Sequence, residues 1–113
     1  MKTAIITSET SLKHDTGSGH PESIFRVTSI IEKLKRNKKL IWKNPTTYNL
    51  EIIKNTHSDA YVDDIENSFP LEGLKFLDGD TVVSPGSKNA TFDAVGSIIS
   101  AIDGVENKEF SAA

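Results

Sequence analysis

A chain of 113 residues has room for one small domain, because a domain of this size buries only about two-thirds of the surface that its unfolded chain exposes. With 36% apolar and 26% charged residues the composition is that of a packed globular chain, and the net charge of -3 provides no field to attract nucleic acid or anionic lipid. The absence of cysteine excludes both a disulfide framework and a thiolate zinc site.

The opening, Met1 to Thr7, carries one lysine and an apolar stretch too short for a signal peptide, and no later run approaches a membrane span. The expectation is a cytoplasmic protein with neither a membrane nor a direct nucleic-acid partner. Ala4-Ile5-Ile6, closed by polar Thr7, Ser8 and Glu9, has the pattern of a strand buried on both faces, so residues 2–7 are expected as the first strand. Residues 10–22 are polar, carry Gly17 and Gly19, and read as a loop positioned by the scaffold.

From Ser23 onward Val27, Ile30, Ile31 and Leu34 follow the i, i+3, i+4, i+7 spacing of one helix face. Glu22 near its start and Lys33, Lys35 and Arg36 near its end complement the helix dipole. Pro45 lies between Leu40-Ile41-Trp42 and Thr46-Thr47-Tyr48, and a residue that cannot donate to a ladder puts any strand here at a sheet edge. Asn49 can cap a short helix running to Thr56, and Ser58 a second on which Tyr61, Val62, Ile65 and Phe69 share a face.

After a turn-rich stretch, 70–85, the positions Ala90, Ala94, Val95, Ile98, Ala101, Ile102 and Val105 repeat at helical spacing and predict the longest helix over roughly 87–105. Glu109 to Ala113 leave that helix without the polar tail that usually closes a domain, which reads as a chain cut on its way into a next strand.

Local patterns alone yield little chemistry. His14 with Asp15, and His57 with Tyr61, could each suggest a metal or catalytic pair, but no His-x3-His or His-Glu-x2-His spacing unites the three histidines. His57 and Tyr61 are expected on adjacent turns of one helical segment, where packing accounts for them. Gly17-x-Gly19 lacks the rest of a dinucleotide or phosphate-loop motif and reads as a turn. Lys33, Lys35, Arg36, Lys38 and Lys39 have no aromatic residues between them and read as a solvated helix end.

The loop from His14 to Arg26, HDTGSGHPESIFR, resembles the opening loop H-[DE]-T-G-x-G-H-P-E-x-P-x-R of bacterial and class II-type members of the histone deacetylase family, of acetoin-utilisation proteins and of acetylpolyamine aminohydrolases. Only the second proline is replaced, by Ile24, which removes no polar group. Three more stretches fall in the family's order: Thr56 to Val62, Leu77 to Thr81, and Val83 to Ser87.

The resemblance implies an α/β fold, a three-layer α/β/α arrangement around a mostly parallel sheet, of which residues 1–113 would form the N-terminal part of a single deacetylase domain. It implies hydrolysis of an acetylated amine, such as acetyl-lysine or an acetylpolyamine, with zinc or a similar divalent ion in the intact parent. The family's metal ligands, two aspartates and a histidine, together with its His pair and its oxyanion-stabilising Tyr or His, are expected beyond Ala113. This chain is therefore expected to hold no metal and to be inactive alone.

For the residues present, the resemblance assigns His20 and Pro21 to a substrate-entrance rim, with Glu22 at the helix start and Arg26 organising backbone carbonyls beneath the active site. Asp78 and Asp80 lie in the loop that can supply a carboxylate to grip a substrate amide, and a carboxylate can accept two N–H bonds without reacting. Asp-Gly-Asp-Thr is equally an ordinary turn-former. A rival reading is a stand-alone, non-catalytic interaction module derived from the same fold. A severed first strand, lacking its in-family neighbour, is expected to self-associate, in one version by pairing its edges into a symmetric oligomer.

Overall fold

Two strands, β1 (Thr3–Ile6) and β2 (Leu40–Lys43), pair in parallel with Thr3 opposite Leu40 and Ile6 opposite Lys43, in a computed structural model that describes residues 2–46 and 50–113. A parallel pair needs a long crossover, and α1 (Ile24–Lys35) provides it. Val27, Ile31 and Leu34 of the expected face are half-buried, while Ile30 is exposed. Lys33 and Lys35 sit in the last turn, where the dipole favours cations. Ala4 is fully buried but Ile5 and Ile6 only partly, so β1 is less enclosed than its apolar run suggests.

The first strand does not lack a second neighbour. Ala4 N donates to Ala112 O at 2.8 Å, Ser111 N donates to Lys2 O at 3.0 Å, and Thr3 bridges Ala112 in parallel. β1 thus lies between β2 and the 111–113 segment, and the expectation of an open edge on that side is corrected. β2 ends at Lys43, before Pro45, and among the described residues it pairs with β1 alone.

The stretch expected as a loop over 10–22 begins instead as a 3-10 helix, Glu9–Lys13. Ser8, in extended conformation, caps it by accepting from the Thr10 amide at 3.3 Å. Next come α2 (Leu50–Lys54) and α3 (Asp59–Glu66). Ser58 caps α3 through the Tyr61 amide at 3.3 Å, while Asn49 and Tyr48 fall outside the described residues. A small antiparallel hairpin joins β3 (Lys75–Phe76) to β4 (Val82–Val83), with Phe76 opposite Val82.

The longest helix, α4 (Ser87–Glu106), packs on the 3-10 helix and on β1. Its buried positions include Phe92, Gly96 and Gly104, whereas Ile98 and Ile102 of the expected apolar face are 64% and 57% exposed. The face is set by backbone approach. A Cβ on Gly96 would meet Thr46 O at 2.4 Å, and one on Gly104 would meet the Phe110 ring at 2.0 Å.

The helix ends in a Schellman arrangement: Glu109 N donates to Gly104 O at 2.9 Å and Lys108 N to Val105 O at 3.0 Å. Lys108 takes φ 59 at the position that glycine usually fills. That reversal seats Phe110, 4% exposed, against Gly104 and delivers 111–113 alongside β1. None of the helices among the described residues is long and apolar enough to cross a membrane.

Candidate functional site, a cavity lined by three histidines

The segment between the 3-10 helix and α1 is folded by its own side chains. Asp15 Oδ1 accepts from Gly17 N at 2.9 Å, and buried Thr16 donates its hydroxyl to the Glu22 carbonyl. Gly17 and Gly19 have φ of 88 and 78, in the left-handed region that glycine enters freely. His20 Nδ1 accepts from the Glu22 amide at 3.0 Å, which places the ring proton on Nε2, and Nε2 donates to the Asp80 carbonyl at 2.6 Å.

Asp80 is held by its own turn. Asp78 Oδ1 accepts from the Asp80 amide at 3.0 Å and the Thr81 amide at 2.8 Å, and Leu77 N closes the loop onto Thr81 O at 2.8 Å. Hydrogen bonds from the Asp80 backbone first, and then from Thr81, favour the ionised form and hold the Asp78 carboxyl below the usual carboxylate range. Asp78 is spent on the turn, while the Asp80 side chain is exposed beside the His20 ring.

Behind this rim lies a cavity of about 470 Å³. Val62, Ile65 and Phe69 come from α3 and the turn after it, Val82 from β4, and Phe92 and Val95 from α4. His14, His20 and His57 all line it, with Tyr61, Asp80 and Glu22. His57 lies in the turn before α3 and not on the same helix as Tyr61; their rings still meet, 5.4 Å between centroids and tilted by 36°.

His14 is anchored to the start of α4. Its Nδ1 lies 2.7 Å from Ser87 Oγ, and Ser87 is fully buried. Ser84 N donates to Ser87 Oγ at 2.8 Å, and Asp15 N donates to Ser84 Oγ at 3.1 Å. The Val83 to Ser87 stretch thereby ties the glycine loop to the longest helix.

Of the residues singled out in the sequence, His20, Glu22 and Asp80 converge on the cavity. Pro21 is exposed beside it, and Asp78 faces its turn. Arg26 pairs with the Glu22 carboxylate at 2.7 Å, one helical turn away, with both side chains about half exposed, where carbonyl contacts were expected. His14, His57 and Tyr61 share the same cavity, which local spacing did not suggest. Lys88 on α4 bonds Glu66 at 3.2 Å and braces α3, a partly exposed pair worth less than about 1 kcal/mol.

A family model described as the histone deacetylase domain matches residues 20–113. An uncharacterized protein of Synechocystis sp. is 36% identical over 111 residues, covering 93% of this chain and 36% of that protein. A protein of Archaeoglobus fulgidus named as a probable deacetylase is 28% identical over 114 aligned residues, covering 96% of this chain and 31% of that protein. The chain therefore spans about a third of the length of these curated relatives.

Proposed function

Because the chain belongs to the histone deacetylase family, we propose that it builds the substrate-entrance rim of a deacetylase-type domain acting on an acetylated amine such as acetyl-lysine or an acetylpolyamine. The observation that carries this reading is the His20–Asp80 hydrogen bond, which joins the His-Pro-Glu loop to the Asp-Gly-Asp-Thr loop at the mouth of the cavity. With its backbone fixed there, Asp80 can turn its exposed carboxylate to the N–H of an amide outside the cavity, while the apolar walls cover an aliphatic chain.

The family implies a zinc or similar ion, which when bound supplies a Lewis acid for amide hydrolysis. The residues described here do not fit one. His14 is turned to Ser87, both nitrogens of His20 are taken by backbone groups, and among the described residues no three His, Asp or Glu side chains are grouped so that they could hold a metal ion. The role proposed for this chain is accordingly binding and orientation, with the metal centre supplied from outside it.

The test is an NMR titration of the ¹⁵N-labelled chain with N-acetyl-lysine methylamide. The Glu22, Asp80 and Thr81 amides are expected to shift saturably, with Asp80→Asn weakening binding about tenfold for the loss of one charge-assisted bond. Absence of saturable shifts at these amides rejects the reading.

A further inference from the structure

We propose that a second cavity, between the 3-10 helix, α1 and the carboxyl ends of β1 and β2, binds a small zwitterion with an apolar body, the chemistry of a free α-amino acid with an aliphatic side chain. The site is independent of the entrance rim, since no residue lines both cavities. The 3-10 helix follows β1 almost at once and packs on the crossover helix, which leaves a space of about 300 Å³ above the ends of the paired strands. That is the size of a site for one small molecule. Leu12 of the 3-10 helix, Ile31 of α1 and Trp42 of β2 form its apolar walls.

The polar lining divides into engaged and unengaged groups. Ser8 Oγ accepts from the Thr10 amide as a helix cap, and the Lys43 ammonium is paired with Glu109. Glu9, at the start of the 3-10 helix, and Lys35, in the last turn of α1, line the same cavity but form no ion pair with each other or with any other described residue. Two opposite charges that face one space without meeting are complemented by a ligand carrying both signs. A lone carboxylate is attracted by Lys35 and repelled by Glu9, and a lone amine the reverse, whereas a zwitterion is held at both ends. Its aliphatic side chain then covers Leu12, Ile31 and the half-covered Trp42 ring. Both charged side chains are solvent-exposed, so each contact is worth a factor of about three and weakens with salt.

Trp42 is the only tryptophan of the chain, so its fluorescence reports on this cavity. Titration of the full chain with L-leucine at low salt should change that fluorescence saturably. The two single-charge analogues, 3-methylbutylamine and 4-methylpentanoate, should each bind about threefold more weakly or worse. Lys35→Met should weaken leucine about threefold and remove its advantage over the amine, and Glu9→Gln should weaken it equally and remove its advantage over the carboxylate. Lys38→Met, an exposed lysine outside the cavity, should change nothing. Should a variant not fold, the three ligands on the wild type still decide. No saturable change with leucine overturns the proposal, as does equal binding of the three ligands. Saturable binding that neither Lys35→Met nor Glu9→Gln weakens places the ligand elsewhere and overturns it too.

Discussion

His20 Nε2 and the backbone oxygen of Asp80, 60 positions apart in the chain, lie 2.6 Å from each other and fasten two loops into one rim. Since Nδ1 of the same ring accepts from the Glu22 amide, the imidazole acts as a rivet between two backbones. His20→Ala should therefore raise hydrogen exchange at Asp80 and Thr81 and cost about 0.5–1.5 kcal/mol in urea unfolding. Unchanged exchange in the 77–81 loop would contradict the rivet.

The packing face of α4 is tested by two substitutions with opposite expectations. Gly104→Ala puts a methyl into the Phe110 ring and should destabilise by about 1–3 kcal/mol or more, while Ile98→Ala on the exposed side should change stability by less than about 0.5 kcal/mol. Urea midpoints of the two variants check this, and the reverse order would mean that the helix packs through its isoleucines.

Lys108 pays a conformational cost at φ 59 because a Cβ crowds the left-handed region. Lys108→Gly should raise stability by about 1 kcal/mol, read as a higher urea midpoint with an unchanged slope. A lower midpoint would show that the lysine side chain itself holds the reversal.

The Asp78 turn carries a pH dependence whose sign follows from its hydrogen bonds. Its carboxyl titrates lower folded than unfolded, so its contribution is present above the ordinary aspartate value of about 3.9 and is lost as pH falls through the folded value. In an acid titration the Asp80 and Thr81 amide shifts should move together with a midpoint below about 3.9, and Asp78→Ala should abolish the transition. A midpoint above that value would reverse the assignment.

Much of this architecture was legible in residue order. The crossover helix showed in the spacing of Val27, Ile31 and Leu34, and the α3 boundary in Ser58. The orientation of α4 was not, because apolar periodicity counts Ile98 and Ile102 while the contact is made by Gly96 and Gly104, whose value lies in having no side chain. The motifs singled out His20 and Asp80, which the structure joins by a hydrogen bond at the cavity, whereas no motif tied His14 to that cavity. Its partner Ser87 is 73 positions away, and a local scan for ligand spacing has no view of such a pair.

The central claim, that this chain supplies an entrance rim and not the metal centre, is tested most directly by incubating the purified 113-residue chain with zinc and an acetyl-lysine peptide and following acetate release with and without a chelator. No chelator-sensitive release is expected. Chelator-sensitive turnover by this chain alone would contradict the account.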